Sequence, residues 1–130
     1  MGVCLMPKMS IWQRDLDVEI IFDLYHGETV LQSQSEALEE FLANYDSLIN
    51  SELERVKKYC LDSDGDRISN NKIDNIFTFV VPKTLFVKRT PNNEHVVALI
   101  CDYKFNPDDG LAIVFKNNVF NEIGSGNIIY

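Results

Sequence analysis

Val96-Val97-Ala98-Leu99-Ile100-Cys101, Leu111-Ala112-Ile113-Val114-Phe115 and Val119-Phe120-Asn121-Glu122-Ile123 are three short apolar or alternating runs near the end of the chain. Only Lys116-Asn117-Asn118 separates the last two. Asparagine tolerates the positive φ of a two-residue hairpin turn, so this pair predicts a β-hairpin. Asn106-Pro107-Asp108-Asp109-Gly110, between the first and second runs, is a dense group of turn formers. Short runs rich in Val, Ile and Phe and bounded by such turns read as strands. Upstream, Thr84-Leu85-Phe86-Val87-Lys88-Arg89 closes on Thr90-Pro91-Asn92-Asn93 and adds another strand. Ile128-Ile129 offers a short terminal one. Short connections set neighbours antiparallel, so this part of the chain is predicted to be an antiparallel meander.

Working outward, the hydrophobic period changes. Val18-Glu19-Ile20-Ile21-Phe22-Asp23-Leu24 keeps even positions apolar and places acids at odd ones, the pattern of a half-buried strand. Ile11-Trp12-Gln13 is placed to pair with it as an N-terminal hairpin, and Tyr25-His26-Gly27-Glu28 is a turn. Over residues 31–60 apolar side chains recur at helical spacing, from Leu38, Phe41 and Leu42 to Val56, Tyr59 and Cys60. That is long for one uncapped helix. Asn44-Tyr45-Asp46-Ser47 or Asn50-Ser51 is expected to divide it into two helices or kink it. Ile73, Ile76, Phe77 and Val80 have the spacing of a short helix, with Ser69 to Asn71 as a cap, although Phe77-Thr78-Phe79-Val80-Val81 also reads as a strand. Pro82 is expected to end either element. The expectation is an α+β fold in a single domain over 1–130, with residues 1–10 as a loose lead-in. An antiparallel sheet of five to six strands (the N-terminal hairpin plus the C-terminal meander) would carry two or three helices on one face.

Composition narrows the function classes. The 130 residues are 45% hydrophobic and 25% charged, which is globular rather than disordered. The net charge is −8, with 20 acids against 12 bases, which disfavours phosphate backbones and argues against nucleic-acid binding. It favours a basic protein partner. The charge is also blocked: eleven acids and no Lys or Arg fall within residues 15–54, leaving nine acids and twelve bases elsewhere. No apolar run is long enough to span a membrane. The three cysteines, Cys4, Cys60 and Cys101, are widely spaced, so neither a disulfide framework nor a zinc site is signalled. The start lacks a charged segment followed by a long apolar one, and the protein is expected to be cytoplasmic and reduced.

The candidate chemistry is sparse. Asp62-Ser63-Asp64-Gly65-Asp66 imitates the opening of an EF-hand loop, where alternating oxygens converge on Ca²⁺. Arg67 then stands where that loop needs Gly, and Ile73 where it needs a bidentate Glu, so an acidic turn is the simpler reading. His26 and His95 have no nucleophile motif beside them and read as surface or edge histidines. Cys60 and Cys101 have apolar neighbours, which disfavour the thiolate. Asp102, Asp108 and Asp109 are explained by the turn they surround. No phosphate-binding glycine loop occurs, since Gly124-Ser125-Gly126 is followed by no helix and reads as a turn. No motif calls for a cofactor or a metal. Trp12 suits a core and Tyr25 an interface.

The arrangement resembles an uncharacterised bacterial domain-of-unknown-function family often found as immunity proteins of polymorphic or contact-dependent toxin systems. The strand at 18–24 carries the resemblance, together with Gln32-Ser33-Gln34-Ser35-Glu36-Ala37-Leu38-Glu39-Glu40-Phe41-Leu42, Val81-Pro82-Lys83-Thr84, Cys101-Asp102, Pro107 to Ile113 and Asn118 to Gly124. It covers roughly residues 15–129. The family turn tends to carry Glu-His before its Gly, where this chain has Asp108-Asp109, so no role of that His transfers. The resemblance implies a non-enzymatic protein that neutralises a cognate toxin domain. Together with the charge, it points to a basic nuclease bound by Glu36, Glu39 and Glu40 on the helix and Asp62, Asp64 and Asp66 on the turn. The alternatives are a small acidic interaction or regulatory module, and a Ca²⁺ protein built on Asp62 to Asp66.

Overall fold

A computed structural model describes residues 4–130. In chain order the elements are β1 (Cys4–Leu5), β2 (Lys8–Ile11), β3 (Arg14–Asp17), β4 (Glu19–Phe22), α1 (Gln32–Asn50), α2 (Leu53–Asp64), β5 (Val80–Val87), β6 (Val96–Tyr103), β7 (Leu111–Lys116) and β8 (Val119–Ser125). One sheet runs in the order β1-β4-β5-β6-β7-β8, and β2 and β3 form a separate hairpin. The α+β class holds, and the β5 to β8 meander is antiparallel as expected. Its last turn places Asn117 and Asn118 at φ 51° and 62°, the left-handed region that asparagine accepts.

The sheet as a whole is mixed rather than antiparallel. β4 lies parallel to β5, with Glu19 opposite Thr84 and Phe22 opposite Val87. Both helices lie between these two strands in the chain. A crossover that long returns to the starting end of the sheet and delivers its strand in parallel. Residues 11–13 do not pair with β4. Instead Trp12 and Gln13 are the turn of the β2–β3 hairpin, at φ 51° and 69°. In β2, Met9 and Ile11 are 2% and 0% exposed and alternate with exposed Lys8 and Ser10.

A left-handed Trp costs free energy, so something must hold it. Its backbone N–H donates to Asn50 Oδ1 at 2.7 Å, and its indole Nε1–H donates to the Ile49 carbonyl at 3.1 Å. Both partners sit in the last turn of α1, where carbonyls lack intrahelical donors. The hairpin thus caps the helix at the point where it breaks, and α2 begins at Leu53. The break follows the second of the two anticipated sites.

Three further expectations change. The short helix over 72–81 is only a 3-10 turn, Ile76–Thr78, capped by the Asn75 side chain, and strand begins at Val80. Pro82 lies inside β5 at a register shift. It is tolerated because β4 pairs only from Thr84 onward, so no neighbour needs its missing N–H. Gly124 and Ser125 extend β8 instead of turning, and Ile128 and Ile129 belong to a 3-10 turn, Gly126–Ile129, rather than a strand.

The helices cover one face of the sheet, where Phe41 packs on Phe115 at 5.2 Å between ring centres. On the other face Ile129 covers Phe86, Ala98 and Val114, and Lys88 Nζ donates to the Ile129 carbonyl at 2.7 Å. Gly110 is required at the β6–β7 turn: its φ is 70°, and a Cβ there would lie 2.3 Å from the Cys101 carbonyl oxygen. Among the described residues no helix is long and apolar enough to cross a membrane.

Candidate functional site: an acidic helix face closed by a hairpin

Gln34 fixes the start of α1. It is 1% exposed, its Oε1 accepts from the Leu31 N–H at 2.9 Å, and its Nε2 donates to the carbonyls of Asp23 (3.0 Å) and Val87 (3.2 Å). One side chain therefore caps the helix and ties it to the ends of β4 and β5. Ala37, Leu38 and Phe41 then turn inward. At about 100° per residue, Glu36, Glu39 and Glu40 share a single outward arc. All three are exposed.

The β7–β8 hairpin closes one side of this face. Asn118 Nδ2 donates to Glu40 Oε1 at 2.6 Å, and His95 Nδ1 stands 3.5 Å from the same oxygen. His95 is held in turn, its N–H donating to Asn117 Oδ1 at 3.1 Å and its carbonyl accepting from the Asn117 N–H at 2.7 Å. The three glutamates, Ala43 and His95 outline a shallow concavity of about 560 Å³.

The acids of residues 15–54 meet different fates. Asp17, Glu28, Glu52 and Glu54 each pair with a Lys or Arg, at 3.4, 3.3, 2.6 and 3.6 Å. Glu36 accepts only a 3.3 Å hydrogen bond from Gln32, and Glu39 has no ion pair among the described residues. Along α1 itself there is no cation at all. The negative field of the block is therefore concentrated on the outer face of this helix.

Asp62, Asp64 and Asp66 do not join it. Asp62 pairs with Lys58 at 2.7 Å. Asp64, the last residue of α2, accepts a 2.6 Å hydrogen bond from the Tyr103 hydroxyl at the end of β6. Asp66 is exposed in the following turn. Tyr103 pairs with Val80 and Val97 with Val87, so this cluster and the glutamates lie at opposite ends of the sheet. Strand rise puts those ends on the order of 25 Å apart. Two of the three aspartates are directed at separate partners instead of converging. Among the described residues no group of three or more His, Cys, Asp or Glu side chains could hold a metal ion.

The buried titratable groups are held neutral. Burial pushes the Cys60 thiol up to about 11 and raises Cys101 further. Burial, then the hydrogen bond to Asp64, raises Tyr103. Thiols so held are poor nucleophiles. Trp12 is buried, as its core reading required, while Tyr25 is 72% exposed in the loop that leads into α1. Gln34, Asn118 and the Glu40–His95 contact were not anticipated. Gln34 had a signal, since it falls on the apolar stripe with Leu38, Phe41 and Tyr45; the other two depend on register across the fold.

A family model described as a domain of unknown function (DUF6985) matches residues 6–130. Comparison with curated proteins and with solved structures returned no match.

Proposed function

The chain belongs to the DUF6985 family, and from that premise we propose that it is a non-enzymatic immunity protein that captures a basic toxin domain on the outer face of α1. The observation that carries the reading is the row of Glu36, Glu39 and Glu40, exposed together on a helix without cations. Such a face raises the encounter rate with a basic surface and sets its orientation. The shallow concavity beside His95 gives that surface a place to seat, and Tyr25 at the same end supplies an exposed aromatic anchor. A nuclease domain, whose own substrate is polyanionic, has the charge this face complements. The protein would act in the cytoplasm, where the captured domain would do its damage.

The test is co-expression and co-purification with the product of the gene immediately upstream. The expected result is a complex whose association slows steeply with salt and is lost in Glu36→Lys/Glu39→Lys/Glu40→Lys. A complex indifferent to both salt and charge reversal would remove the helix face from the interface. No complex at all with the neighbouring product would remove the immunity reading.

A further inference from the structure

The end of the sheet away from the glutamates sets two unpaired cations, Arg67 and Lys104, among its aspartates. Arg67, in the 3-10 turn Gly65–Arg67, holds its guanidinium 5.7 Å from the Phe105 ring centre. Lys104 holds its ammonium 5.7 Å from the Phe79 ring and 5.8 Å from Phe105. The two rings stack at 5.7 Å. Both cations are exposed, and among the described residues neither forms an ion pair. Three nearby carboxylates have partners of their own: Asp74 with the groove residue Lys72 at 3.3 Å, Asp102 with Lys83 at 3.9 Å, and Asp64 with Tyr103. Asp66, next to Arg67 in the chain, is exposed and forms no ion pair among the described residues, so it stands as a free carboxylate beside the groove. Contact with a ring face steadies a cation without neutralising it.

Arg67, Lys72 and Lys104 line one groove of about 440 Å³, with Ser69 and Asn70 as further donors and Asp74 on its wall. With Lys72 paired to Asp74, Arg67 and Lys104 remain as the unpaired cations of the lining, in a chain of net charge −8. We propose that the groove binds a small molecule bearing phosphate. A phosphate offers several acceptor oxygens in a tetrahedral spread and can use a fork, an ammonium, a hydroxyl and an amide together. A carboxylate has two oxygens in one plane and would leave most of these donors idle. Phe79, also on the wall, gives the body of the ligand an apolar surface. The proposal is independent of toxin capture, which uses the other end of the sheet.

The test is an NMR titration of the full chain with pyrophosphate, ATP and succinate, without divalent metal and at low salt. The expected result is saturable shifts at the amides of Ser69, Asn70 and Lys104 with both phosphate compounds, and binding of succinate about tenfold weaker or worse. Arg67→Gln and Lys104→Gln should each weaken binding several-fold, and Lys58→Gln should leave it unchanged. Both groove residues are exposed, so an unaltered amide spectrum elsewhere establishes that these variants fold. ATP binding more tightly than pyrophosphate supports a contribution from Phe79, and equal affinity supports recognition of the phosphates alone. The absence of saturable shifts at millimolar phosphate compound, equal binding of succinate, or indifference to both Gln substitutions would overturn the proposal.

Discussion

The two ends of the sheet present charge in different ways. At the α1 end, carboxylates stand on a regular helix, and their spacing alone aligns them. At the β6 end, Arg67 and Lys104 sit on irregular turns and are steadied by aromatic rings. The first surface needs the helix to be placed; the second needs several distant segments to meet. A helix face can therefore be read from one stretch of chain, whereas a surface assembled from turns cannot.

Placement of the helix is the strongest point at which to break this contrast. Phe41→Ala removes the ring packed on Phe115 and should cost about 3–5 kcal/mol, measured by urea unfolding. If the loss were below about 1 kcal/mol, the helix would not depend on that contact. Next comes the charge of the face itself. The triple Glu→Lys reversal at 36, 39 and 40 should slow association with a basic partner about a hundredfold, read by stopped flow at low salt, with little change in melting temperature. A large fall in melting temperature would show the glutamates to be structural.

At the other end, Tyr103→Phe leaves Asp64 without its donor and should cost about 1.5–3 kcal/mol. The same residue sharpens the comparison through pH. Tyr103, Cys60 and Cys101 all hold their protons more tightly when folded than when unfolded. Their contribution is then complete below the ordinary thiol value of 9.0 and is lost as pH rises; for Cys60 the loss runs up to about 11. Chemical unfolding at pH 8 and pH 10.5 should show lower stability at the higher pH, and a smaller drop in Cys60→Ala. Smallest of all is Lys58→Ala, which removes an exposed i,i+4 pair with Asp62 and should change stability by less than about 0.5 kcal/mol.

The strands of the meander and both helices were legible because their signals are local: a period of two or 3.6, and turns made of Asn, Pro and Gly. The outward row Glu36, Glu39 and Glu40 was legible for the same reason. The partner of β4 was not, because strand pairing across a long crossover leaves no mark in either strand. The β2–β3 hairpin escaped because Trp12-Gln13 is not turn chemistry; the φ values are imposed by hydrogen bonds to Ile49 and Asn50, far along the chain. Asp62, Asp64 and Asp66 read as one acidic unit in sequence, yet Lys58 and Tyr103 draw two of them apart. Arg67 and Lys104 are separated by more than thirty residues, so their shared groove appears only in the fold.

The parallel pairing of β4 with β5 also bears on how the chain reaches this structure. Glu19 meets Thr84 only after a loop of more than sixty residues has closed. Loop-closure entropy opposes early formation of so distant a contact, while the β5 to β8 hairpins form from neighbours. The meander and the helices should therefore take shape first, with the N-terminal strands docking late. In pulse-labelling hydrogen exchange, amides of β6 and β7 should be protected before those of β4.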